Sequence, residues 1–120
     1  MESGATELLD AFNAAFNRHD PPAMMALMTV DCVFENTYPP PDGERYIGQA
    51  AVAQFWEAFF QASPAARIEI EELYAGRDYG FQRWCYHWID RHGSAGHIRG
   101  VDIFHFRDGK IAAKLSYVKG

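Results

Sequence analysis

The second half of the chain is built from strand-length segments separated by turn residues. Arg67 to Tyr74 sets polar against apolar residues at a period of two, the pattern of a strand with one face in water. Three more segments of strand character follow, Phe81–Asp90, His97–Arg107 and Lys110–Lys119. The breaks between them are Arg77–Gly80, the Gly93 and Gly96 region, and Asp108-Gly109. Connections this short join antiparallel neighbours, so the late half is expected to be a four-stranded meander.

The first half supplies the other layer. Leu8, Leu9, Phe12, Ala15 and Phe16 recur at helical spacing, with Ser3 or Thr6 as the cap. Asp20-Pro21 reads as cap plus first residue of a short second helix, Pro21 to about Thr29, carrying Met24, Met25, Leu27 and Met28. Asp31 to Tyr38 has the character of a first strand, and Pro39–Gly43 that of a loop. Gly48 opens a third helix whose Val52, Phe55, Trp56, Phe59 and Phe60 form one apolar face, ended by Ser63-Pro64. The order α-α-β-α-β-β-β-β places helices against one face of a sheet, an α+β fold, in a single domain over residues 1–120.

Charge narrows the partners. The net charge is −5 and no two basic residues are adjacent, so a nucleic-acid surface is not expected. No stretch is long and apolar enough to span a membrane and the N-terminus lacks a leader pattern, so a cytoplasmic protein is expected. Cys32 and Cys85 lie far apart and read as reduced thiols. No metal site and no cofactor are expected, because no histidine pair has helical ligand spacing and no Cys/His quartet exists. Aromatic residues make up 15% of the chain, enough to fill a core and also line a pocket or an interface.

The element order, the segment Gly100-Val-Asp-Ile-Phe-His-Phe-Arg-Asp-Gly-Lys-Ile111 and the following Ser116-Tyr117 resemble the nuclear transport factor 2-like superfamily, and within it SnoaL-like and ketosteroid isomerase-like domains. The resemblance covers nearly the whole chain. It implies a conical, strongly curved, mostly antiparallel sheet wrapped around the N-terminal helices. It also implies a deep, mostly apolar pocket at the open end, and homodimers are common in the family. Members include isomerases, polyketide cyclases, dehydratases, epoxide hydrolases and non-catalytic binding modules, so fold alone does not assign a reaction.

Asp102 is the most informative residue. Period-2 geometry puts it on one face with Phe104 and Phe106. A carboxyl stripped of water beside two rings can hold a proton to donate. The resemblance aligns Asp102 with the isomerase's oxyanion-hole acid; the plain alternative is an Asp paired with a buried cation. What faces it depends on two hairpins. A two-residue turn at His92-Gly93 sets Arg83 opposite Asp102 with Cys85 and His87 on that face, and a slip of one residue would bring Trp84, Tyr86 and Trp88 there instead. A bulge at Gly109 pairs Phe106 with Lys110 and places Lys114 beside Asp102, whereas a plain turn pairs Asp102 with Leu115. The favoured registers gather Arg83, His87, Asp102, Lys114 and Ser116, as an acid/base site or as an ion-pair network.

Asp102, His87 and Lys114 are therefore the catalytic candidates. Arg83, Phe12, Asn36, Glu35, Trp56, Phe104 and Ser116 are the candidates for contact with a ligand. By the resemblance, Asn36 stands where the isomerase has its proton-shuttling aspartate, and Phe12 where it has a tyrosine. Neither can do that work, so the resemblance does not imply steroid-type isomerisation by that mechanism; Glu35 is the adjacent carboxylate. Tyr38 and Tyr46 flank the proline loop as rim or lid. The leading expectation is cofactor-free acid/base chemistry on an apolar, carbonyl-bearing small molecule. The alternatives are a binding module using the same pocket, and a scaffold whose business is its interface. A homodimer through the sheet is expected, with Trp84, Tyr86 and Trp88 on the face away from the pocket.

Overall fold

The structure, a computed structural model, describes residues 2–120, with side chains from Gly4 onward. Leu9, Phe12, Ala15 and Phe16 form one buried stripe along α1 (Glu2–Asn17). This helix starts ahead of Thr6, which therefore lies inside it, and the cap expected at Ser3 falls outside the described side chains. Asp20 caps α2 (Pro21–Ala26), its Oδ1 accepting the Ala23 amide at 3.2 Å, with Pro21 in the first position. The second helix is shorter than its methionines suggest. Met28 and Thr29 belong to β1 (Met28–Glu35) instead. Gln49 holds this corner: its Nε2 donates to the carbonyls of Met25 and Met28 at 3.0 Å and of Thr29 at 3.3 Å.

The strand β2 (Arg45–Ile47), unanticipated in the sequence, pairs antiparallel with β1. Gly48, with φ 87°, caps α3 (Gln49–Ala62). There follow β3 (Arg67–Ala75), β4 (Tyr79–Ile89), β5 (Ala95–Arg107) and β6 (Lys110–Val118). The six strands run β2-β1-β6-β5-β4-β3, parallel only at β1–β6, in a curved, unclosed sheet. The helices cover its concave face. Leu9, Phe12 and Phe16 of α1, Met24 and Met25 of α2, and Val52, Trp56 and Phe60 of α3 pack there with Phe34, Trp84, Phe104 and Ile111. No helix among the described residues is long and apolar enough to cross a membrane.

Two loops set which side chains face the helices. The β4–β5 turn is not the two-residue turn expected at His92-Gly93. Asp90 Oδ1 accepts the amides of His92 at 2.8 Å and Ser94 at 2.9 Å, and Ile89 pairs with Ala95 across five intervening residues. An Asx-type capture of this kind lengthens the loop and slips the register by one. Gln82, not Arg83, therefore stands opposite Asp102, and Trp84, Tyr86 and Trp88 share its face. At the β5–β6 turn, Asp108 (φ 55°) and Gly109 (φ 74°) make a tight two-residue connection pairing Arg107 with Lys110. The bulge comes later than expected, at Ala112, between the Phe106–Ile111 and His105–Ala113 pairs. It returns Lys114 and Ser116 to the concave face, with Ser116 directly opposite Asp102.

Candidate functional site

Beside the core, the concave face leaves a cavity of about 130 Å³, close to the roughly 150 Å³ that accommodates a benzene-sized guest. Phe34, Phe55, Trp56, Phe59, Trp84 and Tyr86 stand in its wall. Helical spacing delivers the α3 rings to this side, while the period of two delivers Trp84 and Tyr86 from β4. Trp84 fits because its partner across the strand pair is Gly100. A Cβ there would lie 2.5 Å from the indole and 2.3 Å from the Tyr117 carbonyl. Gly96 makes the same room for Trp88. Burial pushes the Tyr86 phenol above its usual value, so near neutrality it remains a proton-bearing donor. The indole N–H groups of Trp56 and Trp84 are buried without a hydrogen-bond partner.

One polar chain crosses this apolar wall. Asn13 and Gln82 exchange amide hydrogen bonds of 2.8 and 3.1 Å. Gln82 Nε2 also donates to Asp102 Oδ2 at 3.0 Å. Ser116 Oγ donates to Asp102 Oδ1 at 2.6 Å, and Lys114 Nζ donates to Ser116 Oγ at 3.0 Å while lying 3.5 Å from Asp102 Oδ1. The ammonium sits 4.7 Å from the centre of the Phe34 ring and 5.5 Å from that of Trp56, within reach of the ring quadrupoles. Asp102 is fully buried, whereas Lys114 and Ser116 reach the cavity. The carboxylate thus stands behind the wall, with Ser116 and Lys114 between it and the cavity.

Of the residues expected to meet here, the fold gathers Asp102, Lys114, Ser116, Trp56 and Asn36, the last at the cavity with Thr37. Arg83 and His87 require correction. The slipped register turns them to the convex face, where Arg83 pairs with Glu71 and Glu72 and His87 Nε2 lies 3.1 Å from Glu69 Oε1. Glu35 also points away, toward Arg45 at 3.7 Å, because it is one residue out of phase with Phe34 and Asn36. Phe12 and Phe104 are core residues packed edge to face at 6.4 Å, and neither lines the cavity. Tyr46 packs on Phe55, and Tyr38 is exposed. Sequence reasoning missed Asn13 and Gln82. Asn13 carried a signal, a polar residue four positions after Leu9 and so on the buried stripe; Gln82 followed only from the correct loop length.

The model of the SnoaL-like domain family matches residues 9–114. The chain belongs to that family. Among solved structures, this SnoaL-like domain is similar to a nuclear transport factor 2-like protein of unknown function from Mesorhizobium loti. The two are 36% identical with a TM-score of 0.83 over 99% of this chain and 93% of that one. Proposed polyketide cyclases from Xanthomonas campestris pv. campestris and Pseudomonas putida KT2440 are 26% and 27% identical, with TM-scores of 0.80 and 0.81. Those matches cover 98% and 96% of the SnoaL-like domain, and 92% and 91% of the respective chains. No curated protein matches its sequence.

Proposed function

We propose that this SnoaL-like domain is a small-molecule enzyme performing cofactor-free acid/base chemistry on a largely apolar, carbonyl-bearing ligand. The observation that carries the reading is the Lys114 ammonium at the wall of an apolar cavity, anchored through Ser116 to the buried Asp102. A preorganised cation in a dry site stabilises charge that develops on a substrate oxygen. Lys114 would meet that oxygen, and Ser116 and Asp102 would hold the ammonium in place as an enolate forms. Two relatives carry a proposed polyketide cyclase role, which is consistent with carbonyl chemistry in such a cavity.

A second reading has its own observation. Among the described residues no carboxylate or imidazole lines the cavity, and Asp102 is sealed behind it. A pocket that only binds needs no base. Screening lactones, epoxides and enones for turnover separates the two. The enzyme reading expects turnover that falls about 100-fold or more in Lys114→Met. Binding without turnover across the panel would select the binding module. We further propose that the protein's partner is a second copy across the convex sheet face. The rings there are not those expected from the sequence. Trp84, Tyr86 and Trp88 face inward, and the exposed apolar residues of the convex face include Tyr74, Tyr79, Phe81, Ile89, Ile103 and Tyr117.

A further inference from the structure

The register that turns His87 away from the cavity places it in a different group on the convex face. Glu69 of β3 stands directly opposite Cys85 of β4, and His87 follows Cys85 by two residues on the same strand. One carboxylate oxygen of Glu69, Cys85 Sγ and one ring nitrogen of His87 all lie within 4.8 Å of one another. Thiolate, imidazole and carboxylate are the donors that zinc takes, at about 2.0–2.3 Å from the ion. Drawing three atoms from their present spacing to such an ion needs shifts of roughly 1 Å, well within side-chain reach. A thiolate and a carboxylate also neutralise a divalent charge, and the neutral imidazole adds none. Arg99, opposite Cys85 on β5, would oppose a cation, but its guanidinium is engaged by Glu71 at 3.1 and 3.2 Å.

We propose that Glu69, Cys85 and His87 form a zinc-class divalent metal site, with water as the fourth ligand, on the opposite side of the sheet from the cavity. The site joins β3 to β4 next to the irregularity between Ile70 and Glu72. Cys32 is buried elsewhere, on β1, and burial pushes its thiol up; it serves as the internal control.

The test is a Co2+ titration of chelator-treated protein, followed by competition with Zn2+. One equivalent per chain is expected to give a near-ultraviolet sulfur-to-cobalt charge-transfer band and the visible absorption of a four-coordinate ion, both removed by Zn2+. Cys85→Ser should abolish the charge-transfer band and Cys32→Ser should leave it. Glu69→Ala and His87→Ala, at positions that carry no core packing, should each weaken Co2+ binding about tenfold or more. Zn2+ should raise the thermal midpoint of the unsubstituted protein and not of Cys85→Ser. No charge-transfer band in the unsubstituted protein, or a band that survives Cys85→Ser, overturns the site.

Discussion

At the residue scale, stability and the proposed chemistry both rest on one buried pair. Lys114 and Asp102 are held by Ser116 and Gln82, and both are nearly or fully sealed. Removing one partner of such a pair strands the other charge in an apolar wall. Lys114→Met should therefore cost about 3–5 kcal/mol by chemical denaturation. Asp102→Asn keeps the shape and strands the cation instead. The double variant should recover much of the loss, since the remaining groups are neutral. Strictly additive losses would mean that the two charges do not sense each other. Tyr86 gives a pH dependence at the same wall. Its folded-state value is raised by burial, so the unfolded phenol ionises first. The stability it contributes is complete below the ordinary tyrosine value of about 10 and is lost as pH rises through the folded one. In alkaline denaturation, Tyr86→Phe should flatten this decline; an unchanged slope would assign the decline to other groups.

At the element scale, one aspartate sets the register of the longest strand pair. Asp90 accepts two amides of its own loop. Asp90→Ala should cost about 1–2 kcal/mol and speed hydrogen exchange at Ser94; protection there that does not change would place the loop's order elsewhere. Gly100→Ala should cost about 1–3 kcal/mol, because its methyl meets both the Trp84 indole and the Tyr117 carbonyl. A neutral result by chemical denaturation would mean that both the Trp84 ring and the Tyr117 backbone yield without cost. These loops also explain what the sequence made legible. Alternation from Arg67 and the apolar faces of α1 and α3 are properties of whole segments, so helices, strands and their order could be read. Facing is not. His92-Gly93 resembled a two-residue turn, but the Asp90 carboxylate outcompeted it, and one residue of slip exchanged Arg83 and His87 for Gln82 and Trp84. Lys114 and Ser116 were placed on the right face, although the bulge responsible lies at Ala112 rather than Gly109. The short β2 escaped because three residues carry too little pattern to show a period.

At the scale of the whole molecule, the two faces of the sheet are differently covered. The concave side is covered by helices and keeps its cavity. On the convex side, Tyr74 pairs with Phe81, Phe81 with Ile103 and Ile103 with Leu115, so one apolar row crosses β3, β4, β5 and β6. Tyr74 and Phe81 stack at 5.9 Å and remain 58% and 39% exposed. A continuous row of this kind, on a chain whose helices are all committed to the other face, is what monomers avoid. A second copy related by a two-fold axis would present the same row and bury both, and a stable interface of about 800 Å² per partner is within the area four strands offer. Phe81→Glu combined with Ile103→Glu sets like charges against each other across that axis without touching the concave core. Light scattering at micromolar concentration should give a dimer for the unsubstituted protein and a monomer for the double variant, with unchanged far-ultraviolet circular dichroism. A monomeric unsubstituted protein would sink the proposal, and so would a double variant that stays dimeric, because the row would then be exposed for some reason other than self-association.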